Sequence, residues 1–356
     1  MHEREVPVSD PEVAARPSPG GRFDERALAR YISGELPGFD AQIEVRQFQG
    51  GQSNPTYRIS TSAGDYVLRK KPPGKLLPSA HAIEREFAVM RALAGRIPVP
   101  QMYLICSDDS VIGQPFYIMQ YITGRVLQDA RLLDAPRAER RALCLELVTV
   151  LARLHSVDIH GVGLEGFGRP EGYVARQLAR WSRQYAASRF EDNADMDRLI
   201  PWLDSHMPPT DETAIVHGDY RTHNVIFAPR EPRIAAVVDW ELATLGHPLA
   251  DLAYCCLPYH LPREDARGFH GERPETLGIP PEEELITAYC RAAARSELPH
   301  WSYFLVFSLF RSAAIRAGVL KRALDGTAAS TQALAAGEGY RGAAARAWQL
   351  AQAQAR

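Results

Sequence analysis

The spacing of apolar residues changes character near residue 122. Before it, short alternating runs dominate; after it, most apolar residues recur at helical spacing. Phe23 to Leu36 reads as a short helix, stopped by Pro37-Gly38. Ile43 to Gln49 alternates as a strand and runs into Gly50-Gly51-Gln52-Ser53-Asn54. Thr56 to Ser60 and Asp65 to Arg69 are two more β-rich runs, so three antiparallel strands are expected, with a glycine turn between the first two. Ser79 to Ala94 places Ile83, Phe87, Met90 and Leu93 at helix spacing, and Met102 to Cys106 and Pro115 to Tyr121 read as strands.

Beyond residue 122 a helix from Asp134 or Ala135 to His155 carries Leu143, Leu147, Val150, Leu151 and Leu154 on one face. A glycine-rich loop from Gly161 to Gly172 precedes a helix to Phe190. His247 to Leu257, Pro281 to Arg295, His300 to Leu324 and an Ala-rich segment over 328–352 are further helices. The expected fold class is therefore α+β and bilobal. A small N-terminal antiparallel sheet lobe (22–122) precedes a larger, mainly helical C-terminal lobe (123–356), with the cleft between the lobes. Residues 1–21, rich in Pro, Gly, Glu and Arg and without an apolar core, are expected to be a disordered N-terminus and not a signal peptide.

Composition narrows the function classes. Lys and Arg number 41 against 43 Asp and Glu, a net charge of −2, which argues against nucleic acid or a membrane surface as partner. The longest apolar run, Tyr303 to Phe310, is far short of the ~20 residues a bilayer demands. The cysteines (106, 144, 255, 256, 290) show no C-x-x-C spacing, so reduced thiols and a cytoplasmic location are expected.

Candidate chemistry concentrates in Ile215 to Glu241. Apolar Ala214-Ile215-Val216 leads into His217-Gly218-Asp219, and Asn224 follows five positions after that Asp. Val225 to Phe227 and Ile234 to Val238 read as a hairpin ending in Asp239. Phosphoryl transfer needs such a set: a carboxylate to orient the attacking hydroxyl, and an Asn and an Asp to hold magnesium on nucleotide phosphates. Asp219 is the candidate base, Arg221 a contact to the transferred phosphate, Asn224 and Asp239 the metal ligands, with Glu241 assisting. Upstream, Gly50, Gly51, Gln52 and Ser53 form a turn whose backbone N–H groups would approach phosphate oxygens. Arg69 and Lys70 point to opposite strand faces, and one of them should pair with Glu84 or Glu86 of the following helix. His217 is expected to brace the loop by hydrogen bonds. Asp251, an acid inside the apolar run Pro248 to Tyr254, is expected to cap backbone N–H groups of the catalytic loop.

H-G-D-x-x-x-x-N followed by D-W-E, with Gly-Gly-x-Ser, V-L-R and an R-E helix upstream, resembles the aminoglycoside phosphotransferase family, a branch of the protein-kinase-like superfamily. The resemblance spans roughly residues 40–325. It implies Asp219 as catalytic base, Asn224 and Asp239 as magnesium ligands, and Gln120, Tyr121 and Ile122 as a hinge gripping adenine of ATP. It places Arg69 at the phosphate-anchoring strand cation and Glu86 at its helix partner, although Lys70 stands beside Arg69 and leaves that choice open. Y-V-L-R-K-K-P-P-G, G-F-G-R-P-E-G-Y-V-A-R-Q and H-G-D-Y-R-T-H-N look most like the kinase-like domains associated with acyl-CoA dehydrogenases.

The acceptor is addressed by charge. Aminoglycosides are polycations and need an acidic surface. Here Arg169 to Arg189 holds five Arg against one Glu, and Arg176, Arg180 and Arg183 form one helix stripe beside Trp181 and Tyr185. Such a stripe suits an anionic acceptor such as a hydroxyacyl-CoA; the bland alternative is a solvated basic face over a Trp/Tyr core. The expectation is an ATP- and Mg²⁺-dependent small-molecule O-kinase. An aminoglycoside kinase and a nucleotide-binding pseudokinase are the alternatives.

Overall fold

The structure, a computed structural model, describes residues 21–36, 39, 42–48, 54–72, 82–209, 212–262, 268–327 and 333–354. The expected phosphate loop Gly50, Gly51, Gln52 and Ser53, the 1–20 tail and the start of the 79–94 helix lie outside these residues. Contacts divide the described chain into two compact units. One comprises the residues up to Val126 together with His223–Ala243; the other comprises Leu127–Thr222 and the residues from Thr244 onward. The stretch 223–243, which the sequence pattern grouped with the larger lobe, thus clusters with the sheet.

The first unit is built on a five-stranded antiparallel sheet of β1 (Glu44–Gln47), β2 (Thr56–Thr61), β3 (Gly64–Lys70), β4 (Met102–Cys106) and β5 (Phe116–Gln120), in the order β1-β2-β3-β5-β4. Helix α1 (Glu25–Glu35) starts at Asp24, whose carboxylate accepts from the N–H groups of Arg26 and Ala27 at 2.9 and 3.0 Å. It packs Leu28 and Ile32 with Tyr57, Ile59, Leu68, Phe116 and Ile118. Central β3 is buried on both faces: Leu68 lies in that core, and Val67 faces the other way. Helix α2 (Ile83–Leu93) packs on β4 and β5. The hairpin of β7 (Val225–Phe227) and β8 (Ile234–Val237) completes the unit, and the Val237 N–H reaches the Pro98 carbonyl at 2.9 Å. Gly124 runs so close to this hairpin that a Cβ there would lie 2.3 Å from the Phe227 carbonyl oxygen. Only glycine fits, and Arg125 and Phe227 then exchange backbone hydrogen bonds at 2.8 and 2.9 Å.

The second unit is mainly helical: α3 (Arg137–His155), α4 (Tyr173–Ser188), α5 (Ala194–Ser205), α6 (Pro248–Cys255), α7 (Pro274–Leu277), α8 (Glu282–Ala292), α9 (Trp301–Leu324), α10 (Ala333–Glu338) and α11 (Tyr340–Ala353). A two-stranded ladder of β6 (Ala214–Val216) and β9 (Thr244–Gly246) is set among them. Helix α9 is the spine, packed by α4, α6, α10 and α11. By length and composition it would cross a membrane, but 89% of its most apolar window is buried inside the protein, the environment of a core helix.

Three features depart from the sequence pattern. Helix α5 was not expected, because Pro201 and the acids Asp195, Asp197 and Asp204 interrupt its apolar pattern; Asn193 caps it, and Met196, Leu199 and Leu203 bury its inner face. Strand β9 has three residues, too few for a readable alternation. The Ala-rich end forms two helices, not one, with Gly339 between them. All five cysteines are free thiols.

Candidate active site

In the sheet unit, period-two alternation decides between the two strand cations. Lys70 shares the Leu68 face; it is 3% exposed, lies 5.9 Å from the Phe23 ring, and burial lowers its pKa. Arg69 is on the other face and meets three carboxylates. Its Nε is 3.1 Å from Glu86, and its Nη2 is 2.7 Å from Asp239 and 3.9 Å from Glu241. Glu84, the other candidate partner, pairs instead with Lys71 at 2.6 Å.

Glu86 is fully buried and held from three sides: by Arg69, by the Asn54 amide donating at 2.8 Å and by the Tyr117 hydroxyl donating at 3.0 Å. Burial pushes its carboxyl up to about 7; Arg69 pulls it back, and Asp239 and Glu241 add repulsion. Asn54 and Tyr117 were not expected from sequence. Asn54 adjoins the glycine turn, but its partner lies 32 residues away, a contact no local pattern reveals.

Asp239 leaves β8 with a left-handed backbone, φ 65°, a conformation Asp tolerates better than most residues. Next to it Trp240 is buried and donates its indole N–H to the Val237 carbonyl at 3.0 Å, which fixes the turn. Asp239 and Glu241 flank that anchor and remain 34% and 28% exposed at their side chains. Asn224 is buried at the same open end of the hairpin, its carbonyl accepting from the Val238 N–H at 2.9 Å, so Asn224 and Asp239 are tied to one edge.

This donor set suits magnesium, a hard cation that takes one or two protein carboxylates and fills its shell with phosphate oxygens and water. The three carboxylates converge on Arg69, not on a common point, and among the described residues no group of three or more His, Cys, Asp or Glu would hold a metal unaided. Asp239 and Glu241 nevertheless keep part of their carboxylates open to solvent, where a cation could reach them. The expected hinge continues from β5. Gln120 donates its N–H to the Gln101 carbonyl at 2.8 Å, Tyr121 lies under Arg58 at 4.6 Å, and Ile122 follows.

In the helical unit, β6 delivers His217-Gly218-Asp219. Asp251 of α6 accepts from the N–H groups of His217 at 2.6 Å and Gly218 at 2.9 Å, the capping role its place in an apolar helix predicted. Burial alone would raise the Asp251 carboxyl, but His155, whose Nε2 is 3.5 Å away, and His217 hold it below the usual carboxylate range. His217 is buried, and its Nδ1 accepts from the Asp219 N–H at 3.2 Å, the expected bracing. Gly218 has φ 83°, which favours glycine. The loop thus presents Asp219 with its carboxylate 3.3 Å from Arg221, and burial, then the Asp219 charge, raise the pKa of the Tyr254 phenol.

Of the expected acceptor stripe, Trp181 and Tyr185 are core residues, while Arg180 and Arg183 are exposed. Arg176 folds back onto the carbonyls of Arg169 and Glu171. Sequence reasoning missed Arg311, a buried arginine of α9 that donates to the Gly218 carbonyl. Its signal was a charge, shared with Arg316, within the buried apolar stretch of α9.

Known proteins resemble the chain in sequence and in fold. The sequence model of the phosphotransferase enzyme family matches residues 44–298. Acyl-CoA dehydrogenase family member 11 of Rattus norvegicus is 45% identical over 322 residues, covering 88% of this chain and 41% of that protein. Family member 10 of Mus musculus is 44% identical over 329 residues, covering 91% and 31%. The chain therefore spans well under half the length of these relatives. A crystal structure from Ralstonia eutropha carrying the family name aminoglycoside phosphotransferase is 44% identical, with a TM-score of 0.85 over 93% of this chain and 99% of that one. Choline kinase of Cryptosporidium parvum shares the fold at 14% identity, with a TM-score of 0.63 over 93% and 96%.

The α+β fold is thus kinase-like. The chain belongs to the phosphotransferase enzyme family.

Proposed function

We propose that the chain is an ATP- and magnesium-dependent O-kinase that moves the γ-phosphate to a hydroxyl of an anionic small molecule, such as a hydroxyacyl-CoA. The observation that carries the reaction is the Arg69 cluster: a buried guanidinium oriented by Glu86 and paired with a partly exposed Asp239. In this reading Asp239 and Asn224 hold magnesium, which when bound neutralises charge on the phosphates. Arg69, oriented by Glu86, binds nucleotide phosphate oxygens; Gly50 to Ser53 cradle the same group with backbone N–H groups; Gln120 to Ile122 grip the adenine. Asp219 accepts the proton of the acceptor hydroxyl, held in place by Asp251 and His217, while Arg221 offsets charge on the transferred group.

Two things support an anionic acceptor. Arg180 and Arg183 expose basic groups where a polycation would need acids, and two of the relatives described above carry names from acyl-CoA chemistry. Measuring ATP consumption against panels of hydroxyacyl-CoAs and aminoglycosides tests the reading. Magnesium-dependent turnover with the hydroxyacyl-CoAs is expected. Turnover confined to aminoglycosides would make the chain an antibiotic kinase, and nucleotide binding without transfer to any acceptor would make it a pseudokinase.

A further inference from the structure

Arg311 is a charge the phosphoryl-transfer reading leaves unused. It is 6% exposed, and its guanidinium carbon lies 4.6 Å from the centroid of the Tyr254 ring and 5.3 Å from that of Trp181. One Nη donates to the Gly218 carbonyl, but the buried Nε has no hydrogen-bond partner. Arg180 of α4 lies over the same Trp181 ring, 5.0 Å from its centroid, and is itself exposed, which gives the pair an opening to solvent. Burial, and then the Arg311 charge, lower the Arg180 pKa. The buried Tyr173 phenol lies in the field of both.

Among the described residues no carboxylate lies within ion-pair distance of Arg180 or Arg311. Aromatic faces attract guanidinium groups but do not neutralise them. A buried arginine beside a second like charge, with a donor left over, is costly unless an anion completes it. Tyr254 lies between this seat and the base: Arg311 is 4.6 Å from its ring centroid, and its phenol lies in the field of Asp219.

We propose that Arg311 and Arg180 form a seat for an oxyanion of the acceptor, a carboxylate or a phosphate, one tyrosine side chain from the group that takes the acceptor's proton. The seat deepens the O-kinase reading and rests on it for the role of Asp219. Arginine's fork matches either oxyanion by paired hydrogen bonds. Arg311 is also a positioning residue, since it holds the Gly218 carbonyl while Asp251 holds the Gly218 N–H.

Calorimetric titration of inorganic phosphate into the enzyme saturated with MgADP tests the seat without turnover. Wild type should bind, and Arg180→Met and Arg311→Met should each weaken binding at least tenfold. No binding by wild type, or variants that titrate like it, overturns the proposal. Should Arg311→Met fail to fold, Arg180→Met carries the test alone. Steady-state kinetics then separate the source of the oxyanion. A tenfold rise in KM of Arg180→Met for a free hydroxy acid identifies a carboxylate. The same rise for a hydroxyacyl-CoA, but not for its pantetheine analogue, identifies a phosphate. A rise in KM for ATP instead of the acceptor overturns the assignment. Phosphate binding without transfer to any acceptor would leave the seat standing and remove the O-kinase reading. Transfer to neutral alcohols and anionic acceptors alike, unchanged in Arg180→Met, would do the reverse.

Discussion

The two units carry polar clusters of different make-up. Around Arg69 stand the carboxylates of Glu86, Asp239 and Glu241. Around the Asp219 loop, Arg221 faces the Asp219 carboxylate, Arg311 donates to the Gly218 carbonyl, and Asp251 is committed to backbone N–H groups and to His155. In the reading proposed above, the first cluster serves a cation with its nucleotide and the second an anionic acceptor. The rigidity also differs. Glu86 is locked by three partners, whereas Asp239 is a third exposed and balanced chiefly by Arg69, a pairing that a metal ion would compete for.

The largest expected effect comes from removing the partly exposed carboxylate of the Arg69 cluster. Asp239→Asn should lower kcat/KM by roughly 10³-fold, about 4 kcal/mol, and weaken magnesium dependence, as metal titrations of initial rate would report. An unchanged magnesium optimum would break the contrast between the clusters. Next in size is Arg69→Met, which strands the fully buried Glu86. It should cost about 3 kcal/mol in chemical denaturation. A loss below about 0.5 kcal/mol would mean that Arg69 is not what holds Glu86 in place.

A smaller effect is a pH slope. The Glu86 carboxyl titrates near 7 in the folded protein against an ordinary 4.5. Between those values the folded state keeps a proton that the unfolded chain has lost, so stability falls as pH rises from about 4.5 to about 7, by about 1–3 kcal/mol. Glu86→Gln should flatten that slope in denaturation curves taken across the window. A wild-type slope of the opposite sign would show that Arg69 overrides burial.

Much of this was legible in the chain. Alternation placed Arg69 and Lys70 on opposite faces, and the R-E helix named Glu86. An acid amid Leu249, Ala250, Leu252 and Ala253 read as one that would accept from backbone N–H groups of the loop. What sequence hid is long-range. Asn54 and Tyr117 converge on Glu86 from 32 and 31 residues away, and Arg311 reaches Gly218 across 93. The β6–β9 pairing joins two three-residue strands too short to read. The Arg176 stripe was a correct periodicity, yet only the folded chain shows that Arg176 turns onto its own loop while Arg180 meets Arg311's aromatic platform.

The most direct test of the account pairs two readings on one Asp219→Asn preparation: the Kd for MgATP and the rate of phosphate transfer to acceptor. The variant should keep a Kd within twofold of wild type, because Arg69, Asn224 and Asp239 rather than Asp219 serve nucleotide and metal, and transfer should slow by about 10²–10⁴-fold. Transfer at the wild-type rate would remove Asp219 as the base and contradict the account.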